Sequence, residues 1–218
     1  EKAGGAVIRM IYSPLEALRL ARENPGKKVI FPAIGFETTV PPAAAAVSEA
    51  RERGLDNLLI IPAGKRIPPA MELLAGDKQN RIDGFICPGH VSAVIGLRPY
   101  RKIAERFTIP CVVAGFEPLD ILAAVRALID MINSREAGVQ NLYPRAVRDI
   151  GNPRARQTVD KVFSIRDSRW RGLGNIAESG YFLKPEFLGF DAAEILRPPV
   201  EKSRPDPRCR CGEILKGV

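Results

Sequence analysis

No apolar run in this sequence approaches the roughly 18 residues that a membrane-spanning helix needs. The opening residues carry none of the parts of a secretory leader: no charged start, no long apolar stretch, no small-residue cleavage site. They also do not begin with Met, so the chain reads as an excerpt of a soluble protein. Cysteine is scarce, with four irregularly spaced residues, which excludes a disulfide framework and makes the cytoplasm the default compartment. Neither GxGxxG nor GxxxxGK[ST] occurs, which demotes nucleotide binding to an alternative reading. There is a single histidine and a single tryptophan.

Positive charge is in excess, at a formal +8. Eight Lys or Arg fall within residues 144–171, but few aromatics accompany them and no nucleic-acid motif does, so nucleic-acid binding is disfavoured and a solvated basic face is the plainer reading. Hydrophobic residues at 45% and charged residues at 27% are ordinary globular values, enough to bury a real core.

From residue 5 to about 133, short β-branched runs alternate with helical patterns, as βα units around a parallel sheet do. The predicted strands are GAVIRMIY, KKVIFPAIG, NLLIIPA, RIDGFIC and TIPCVVAG. Pro32 is expected to interrupt pairing near the end of the second. Ser13-Pro14 reads as an N-cap and first helical residue, and Thr38 or Thr39 as the cap of the helix that follows. Residues 88–107 are expected to be helical in two pieces around Gly96 and Pro99, and PLDILAAVRALIDMIN is the cleanest amphipathic helix. Beyond residue 140 the rhythm stops, Pro, Arg and Gly become frequent, and FSIRDSRWRGLG reads as a strand entering a turn. The fold class is therefore α/β: an open, mostly parallel sheet with flanking helices over 1–140, a smaller irregular α+β segment docked on it over 141–197, and a linker and cysteine-bearing tail over 198–218.

Ligands of parallel sheets collect at the carboxyl ends of strands. Three strand-to-helix turns share the form Gly-Phe followed by polar residues or proline: Gly35-Phe36-Glu37-Thr38-Thr39, Gly84-Phe85-Ile86-Cys87-Pro88-Gly89-His90 and Gly115-Phe116-Glu117-Pro118. In one parallel sheet all three would share an edge. Glu37 could accept backbone N–H bonds, bind a cation or transfer a proton; the duller reading is that Glu37 and Glu117 cap helices, and this fits Glu117 better because Pro118 starts a helix. His90, directly after Pro88-Gly89, is placed for proton transfer or metal contact, although a lone histidine is usually structural. Cys87 and Cys111 sit in apolar runs as small buried side chains, whereas Cys209-x-Cys211 lies in a Pro- and Arg-rich tail and resembles half of a metal or iron–sulfur site.

IYSPLEAL, AIGFETT, IDGFICPGHVSAVIG, VAGFEPLDIL, NLYPRAV, WRGLG and CRCGEILKG occur in order, and together they resemble the HypD family of hydrogenase maturation factors over essentially the whole chain. The resemblance implies a cytoplasmic scaffold, rather than a turnover enzyme, on which the iron-dicyanide-carbonyl unit of [NiFe]-hydrogenase is assembled. It implies a HypC-like small chaperone and a HypE-like cyanide donor as partners, and iron and a [4Fe–4S] cluster as cofactors. Two similar α/β domains and a cluster region are expected of the family, with residues 1–140 as the second α/β domain and 141–218 as the start of the cluster region. Glu37, Thr38 and Thr39 match its Gly-Phe-Glu-Thr-Thr motif, and Pro88, Gly89 and His90 its Pro-Gly-His-Val motif; both are thought to face the assembly cleft. Cys209 and Cys211 are the implied metal ligands. The family's N-terminal domain, with its Cys-Gly-x-His-x-His motif, and its later cysteines are not in this sequence, and Ile150 and Ala177 stand where Glu and Pro are usual. The alternative is a stand-alone α/β module that binds an anionic metabolite or nucleotide at helix N-termini.

Overall fold

A computed structural model describes residues 7–199 and 208–217. In chain order the elements are α1 (Pro14–Glu23), β1 (Val29–Gly35), α2 (Val40–Glu52), β2 (Leu58–Gly64), α3 (Ile67–Gly76), β3 (Phe85–Pro88), α4 (Gly89–Ile95), α5 (Arg98–Phe107), β4 (Cys111–Ala114), α6 (Pro118–Asn133) and β5 (Val139–Asn141). Then come α7 (Pro153–Val162), β6 (Phe163–Trp170), β7 (Gly174–Leu183), a 3-10 helix (Pro185–Phe190), α8 (Ala192–Leu196) and α9 (Cys211–Leu215). The α/β class is as the sequence indicates. The parallel strands, however, form two sheets: β1 pairs with β2, and β3-β4-β5 form the other. The strands β6 and β7 make an antiparallel hairpin.

Each sheet has its own core. Leu58 and Ile60 of β2 pack with Ala17, Leu18 and Ala21 of α1, Val47 of α2, Val159 and Val162 of α7, and Tyr181 and Leu183 of β7. On the second sheet, Cys87, Cys111 and Val113 pack with Tyr100 and Ile103 of α5, while Val112 and Ala114 face Ala124, Leu128 and Met131 of α6. Cys87 and Cys111 are fully buried, as their apolar runs require, and burial pushes the Cys87 thiol well above its usual range. Full burial of each large aliphatic here is worth about 1.5–3 kcal/mol.

Local rules account for most helix boundaries. The Ser13 side chain accepts the Leu15 amide hydrogen and Pro14 opens α1. Asn57, buried where β2 begins, donates to the Ala21, Asn24 and Lys27 carbonyls, tying the end of α1 to the sheet. The break between α4 and α5 falls at Gly96 and Leu97, as expected.

Four expectations fail for identifiable reasons. Residues 7–12, the described part of GAVIRMIY, form no strand, because no strand among the described residues pairs with them; Val7 and Tyr12 are 86% and 89% exposed. The fifth parallel strand is instead Val139–Asn141, too short to show periodicity. Pro32 does not interrupt pairing: Val29 donates to Asn57 and Gly35 accepts from Lys65, so the odd-numbered residues of β1 face β2 and Pro32 points its missing donor outward. The segment Phe85–Pro88 is itself strand β3, so Gly84-Phe85 precedes a strand rather than a helix. Most of the expected linker, residues 200–207, lies outside the described residues.

Candidate functional site

The two sheets separate the turns that sequence reading placed on one edge. The Gly35-Phe36-Glu37 turn ends β1, while the Gly115-Phe116-Glu117 turn ends β4 and the Pro88-Gly89-His90 turn ends β3.

At the first turn Gly35 adopts φ +141°, and a Cβ there would lie 2.2 Å from Thr39 Oγ1. This bend swings Glu37 into the interior, where it is only 2% exposed. Thr39 occupies the N-cap position of α2 but makes no capping bond; its hydroxyl donates to the Phe36 carbonyl at 3.0 Å. Thr38 is half-buried beside it. Glu37 caps a different helix: its Oε1 accepts the Ile67 amide hydrogen at 2.9 Å, at the first residue of α3. Its Oε2 is buried and has no hydrogen-bond partner among the described residues. The carboxylate lines a cavity of about 200 Å³ together with Arg66, Val94, Arg156, Asp160 and Tyr181. Burial lifts its pKa to about 6, against the smaller opposing pull of its own and the Ile67 backbone amides and the Arg66 charge.

The wall of this cavity is held by side chains the sequence reading missed. The Arg66 guanidinium donates to the Glu178 carbonyl at 2.7 Å and also bonds the Tyr181 hydroxyl, whose pKa burial raises. The neighbouring Lys65 donates to Ser168 Oγ and to the Arg169 carbonyl at 3.0 Å, and burial lowers its pKa. These bonds fasten the β6–β7 hairpin over the carboxyl end of β2. A signal was present: Val40-Pro41-Pro42-Ala43 and Ile67-Pro68-Pro69-Ala70 open α2 and α3 with the same phrase, marking Arg66 as the counterpart of Thr39.

His90 belongs to the other turn. Its ring lies 4.9 Å from that of Phe116, it is exposed, and partial burial lowers its pKa. Gly89 and Gly115 both press on Tyr143: a Cβ on Gly89 would lie 2.5 Å from the Ala114 oxygen and 2.6 Å from the Tyr143 ring, and one on Gly115 would lie 2.8 Å from that ring. Glu37 and His90 are thus associated with opposite ends of α4. His90 stands in its first turn, whereas Val94 and Ile95 at its far end line the Glu37 cavity. Glu117 makes no capping bond either; it is exposed and pairs with Arg145 at 3.5 Å, while Arg145 clamps Asp120 through both carboxylate oxygens at 2.5 and 3.2 Å.

In the tail, Cys209 and Cys211 are half-buried at the start of α9. The Cys211 backbone amide and thiol, helped by Arg171, pull the Cys209 thiol down to about 7, which favours thiolate. The hairpin tip touches the tail backbone to backbone: a Cβ on Gly172 would lie 2.6 Å from the Gly212 nitrogen. Among the described residues no group of three or more His, Cys, Asp or Glu is placed to hold a metal ion, so these two thiols fit half of a four-thiolate set and the described residues do not complete it.

Taken together, these features define an α/β protein with a carboxylate held half-satisfied inside a cavity and a separate two-thiol tail. The chain matches the HypD family, described as "Hydrogenase formation hypA family", over residues 1–218, and belongs to it. It is 45% identical over 217 residues to the hydrogenase maturation factor HypD of Escherichia coli K12, covering 99% of this chain and 58% of that protein. It is 44% identical over 226 residues to HypD2 of Bradyrhizobium diazoefficiens, covering 100% and 59%. With HypD of Rhizobium leguminosarum bv. viciae it shares 43% over 224 residues, covering 100% and 58%. The chain therefore spans less than three fifths of the length of these relatives. No helix among the described residues is long and apolar enough to cross a membrane.

Proposed function

We propose that this chain supplies the central part of a cytoplasmic HypD-type scaffold for hydrogenase maturation, on which the iron-dicyanide-carbonyl centre of [NiFe]-hydrogenase is assembled. In this reading residues 1–140 form its second α/β domain, residues 141–197 dock on that domain, and residues 198–218 lead into the cluster region. A HypC-like chaperone and a HypE-like cyanide donor are the partners. Glu37 and His90 are the working side chains, the first holding or releasing a proton at Oε2 and the second presenting an imidazole at the mouth of β3 and β4. Thr38, Thr39, Pro88 and Gly89 shape the two turns, and Cys209 and Cys211 give two thiolates to a [4Fe–4S] cluster whose remaining ligands come from outside the described residues.

One observation carries the reading: Glu37 is fixed by α3 through one oxygen while its other oxygen is buried with no partner among the described residues. A carboxyl group kept only for capping would not need that second oxygen desolvated, and a pKa near 6 suits proton exchange close to neutral pH. The test is hydrogenase maturation in cells carrying Glu37→Ala or His90→Ala in a full-length HypD protein. Loss of active hydrogenase at normal HypD abundance is expected of each; intact maturation in either variant removes that residue from the site.

A further inference from the structure

The NLYPR stretch at residues 141–145 lies between the two turns of the second sheet. One edge of the Tyr143 ring meets Gly89, where an added Cβ would lie 2.6 Å from Cδ1. The opposite edge meets Gly115, where a Cβ would lie 2.8 Å from Cε2. His90 directly follows the first glycine and Phe116 the second, and their rings lie 4.9 Å apart at an interplanar angle of 45°. The gap between the two turns is thus filled by one aromatic ring, and only glycine lets both backbones reach it.

Tyr143 is itself fixed. Its N–H donates to Asn141 Oδ1 at 3.0 Å, and its carbonyl accepts from the Ala146 and Val147 amides at 3.1 and 2.9 Å. The Leu142 N–H donates to the Val113 carbonyl of β4 at 2.9 Å. The Arg145 guanidinium carbon lies 4.3 Å from the centre of the Tyr143 ring, and the same group clamps Asp120 in the first turn of α6 and reaches Glu117 at 3.5 Å. Among the described residues the Tyr143 hydroxyl has no hydrogen-bond partner, so the side chain acts through its ring.

We propose that Tyr143 and Arg145 are positioning residues for His90: the Tyr143 ring is the spacer that sets how closely the β3 and β4 turns approach, and Arg145, tied to α6, keeps that ring between the two glycines. The inference rests on the reading of His90 as a working side chain. A close-packed contact has no room to absorb a change in the spacer, so removing the ring either leaves a void or lets the turns shift. In both cases the imidazole loses its seat against Phe116, where a tilted ring pair is the favoured geometry. Arg145 also engages the two carboxylates that α6 brings near these turns, Glu117 and Asp120.

The single histidine and single tryptophan supply two unambiguous probes. In the whole 218-residue chain at about pH 8.5, roughly two units above the ordinary histidine pKa, the proton NMR line of His90 Cε1–H should be displaced by the Phe116 ring current. Phe116→Leu defines its undisplaced position. Tyr143→Ala and Arg145→Gln should move the line most of the way to that position, and Tyr143→Phe should leave it in place. Trp170 fluorescence, which reports on the β6–β7 hairpin, should stay unchanged in all of them. An unmoved line in Arg145→Gln and Tyr143→Ala, or a Tyr143→Phe line that moves as far as that of Tyr143→Ala, overturns the proposal. If Tyr143→Ala loses cooperative thermal unfolding, Arg145→Gln decides alone, since that side chain is 51% exposed. In a full-length HypD protein Tyr143→Ala should lower hydrogenase maturation about tenfold and Tyr143→Phe should not, because a small misplacement of a working group is costly. A moved line with intact maturation keeps Tyr143 as the spacer and removes His90 from the working site. Lost maturation with an unmoved line overturns the proposal.

Discussion

The two Gly-Phe-Glu turns differ in where their glutamate goes, and the difference lies in what surrounds the phrase. At the first, Gly35 has a left-handed φ, so the chain folds back and drops Glu37 beneath the N-terminus of α3. At the second, Gly115 has no such angle, Pro118 continues directly into α6, and Glu117 stays at the surface against Arg145. The same three residues thus build a buried, half-satisfied carboxyl on one sheet and an exposed ion pair on the other. A motif specifies a turn; the partner elements decide its chemistry.

The sharpest way to break the comparison is at the glycines. Gly35→Ala must accept both the unfavourable φ and the Thr39 hydroxyl, and should cost about 3 kcal/mol in urea unfolding. Gly115→Ala meets chiefly the Asp120 carboxylate and the Tyr143 ring edge and should cost about 1 kcal/mol, so equal losses would erase the distinction.

A smaller effect lies in the pH dependence of stability. Folded Glu37 holds its proton more tightly than the unfolded chain does, so its protonation stabilises the fold below pH 4.5, and that contribution is lost as pH rises through about 6. The rise from 4.5 to about 6 corresponds to about 2 kcal/mol. Relative to wild type, Glu37→Gln should therefore gain about 2 kcal/mol between pH 4 and pH 7.5, measured by denaturant midpoints at the two pH values.

The smallest effect should come from Glu117→Ala, whose exposed ion pair with Arg145 is worth less than about 0.5 kcal/mol. Glu37→Ala strands the Ile67 N–H and should cost about 1–3 kcal/mol in the same assay. Near-equal values would mean that Glu37 is solvated in solution.

What was legible in the sequence was whatever local chemistry determines. Ser13-Pro14, the strand around Val29–Gly35, the Gly96 break and the long α6 follow from caps, β-branching and periodicity within a few residues. The split into two sheets was not legible, because every βα unit looks alike until its neighbours are known. Residues 7–12 have strand composition but lack a pairing partner, and composition cannot supply one. At the site, the sequence singled out Glu37 but not its burial, which depends on Tyr181 and the hairpin more than 100 residues later. The proximity of His90 to Phe116 rather than to Glu37 likewise depends on which sheet each turn ends.

The close approach of Gly172 to Gly212 has a mechanical meaning. Trp170, two residues before Gly172, packs its ring 6.2 Å from that of Phe36, in the turn that sets Glu37. The hairpin end thus meets the glutamate turn through a ring and the cysteine tail through bare backbone, and at the tail contact there is no side chain to act as a cushion. A Cβ on either glycine would lie 2.5–2.6 Å from the other's backbone, so neither position has room for any residue larger than glycine.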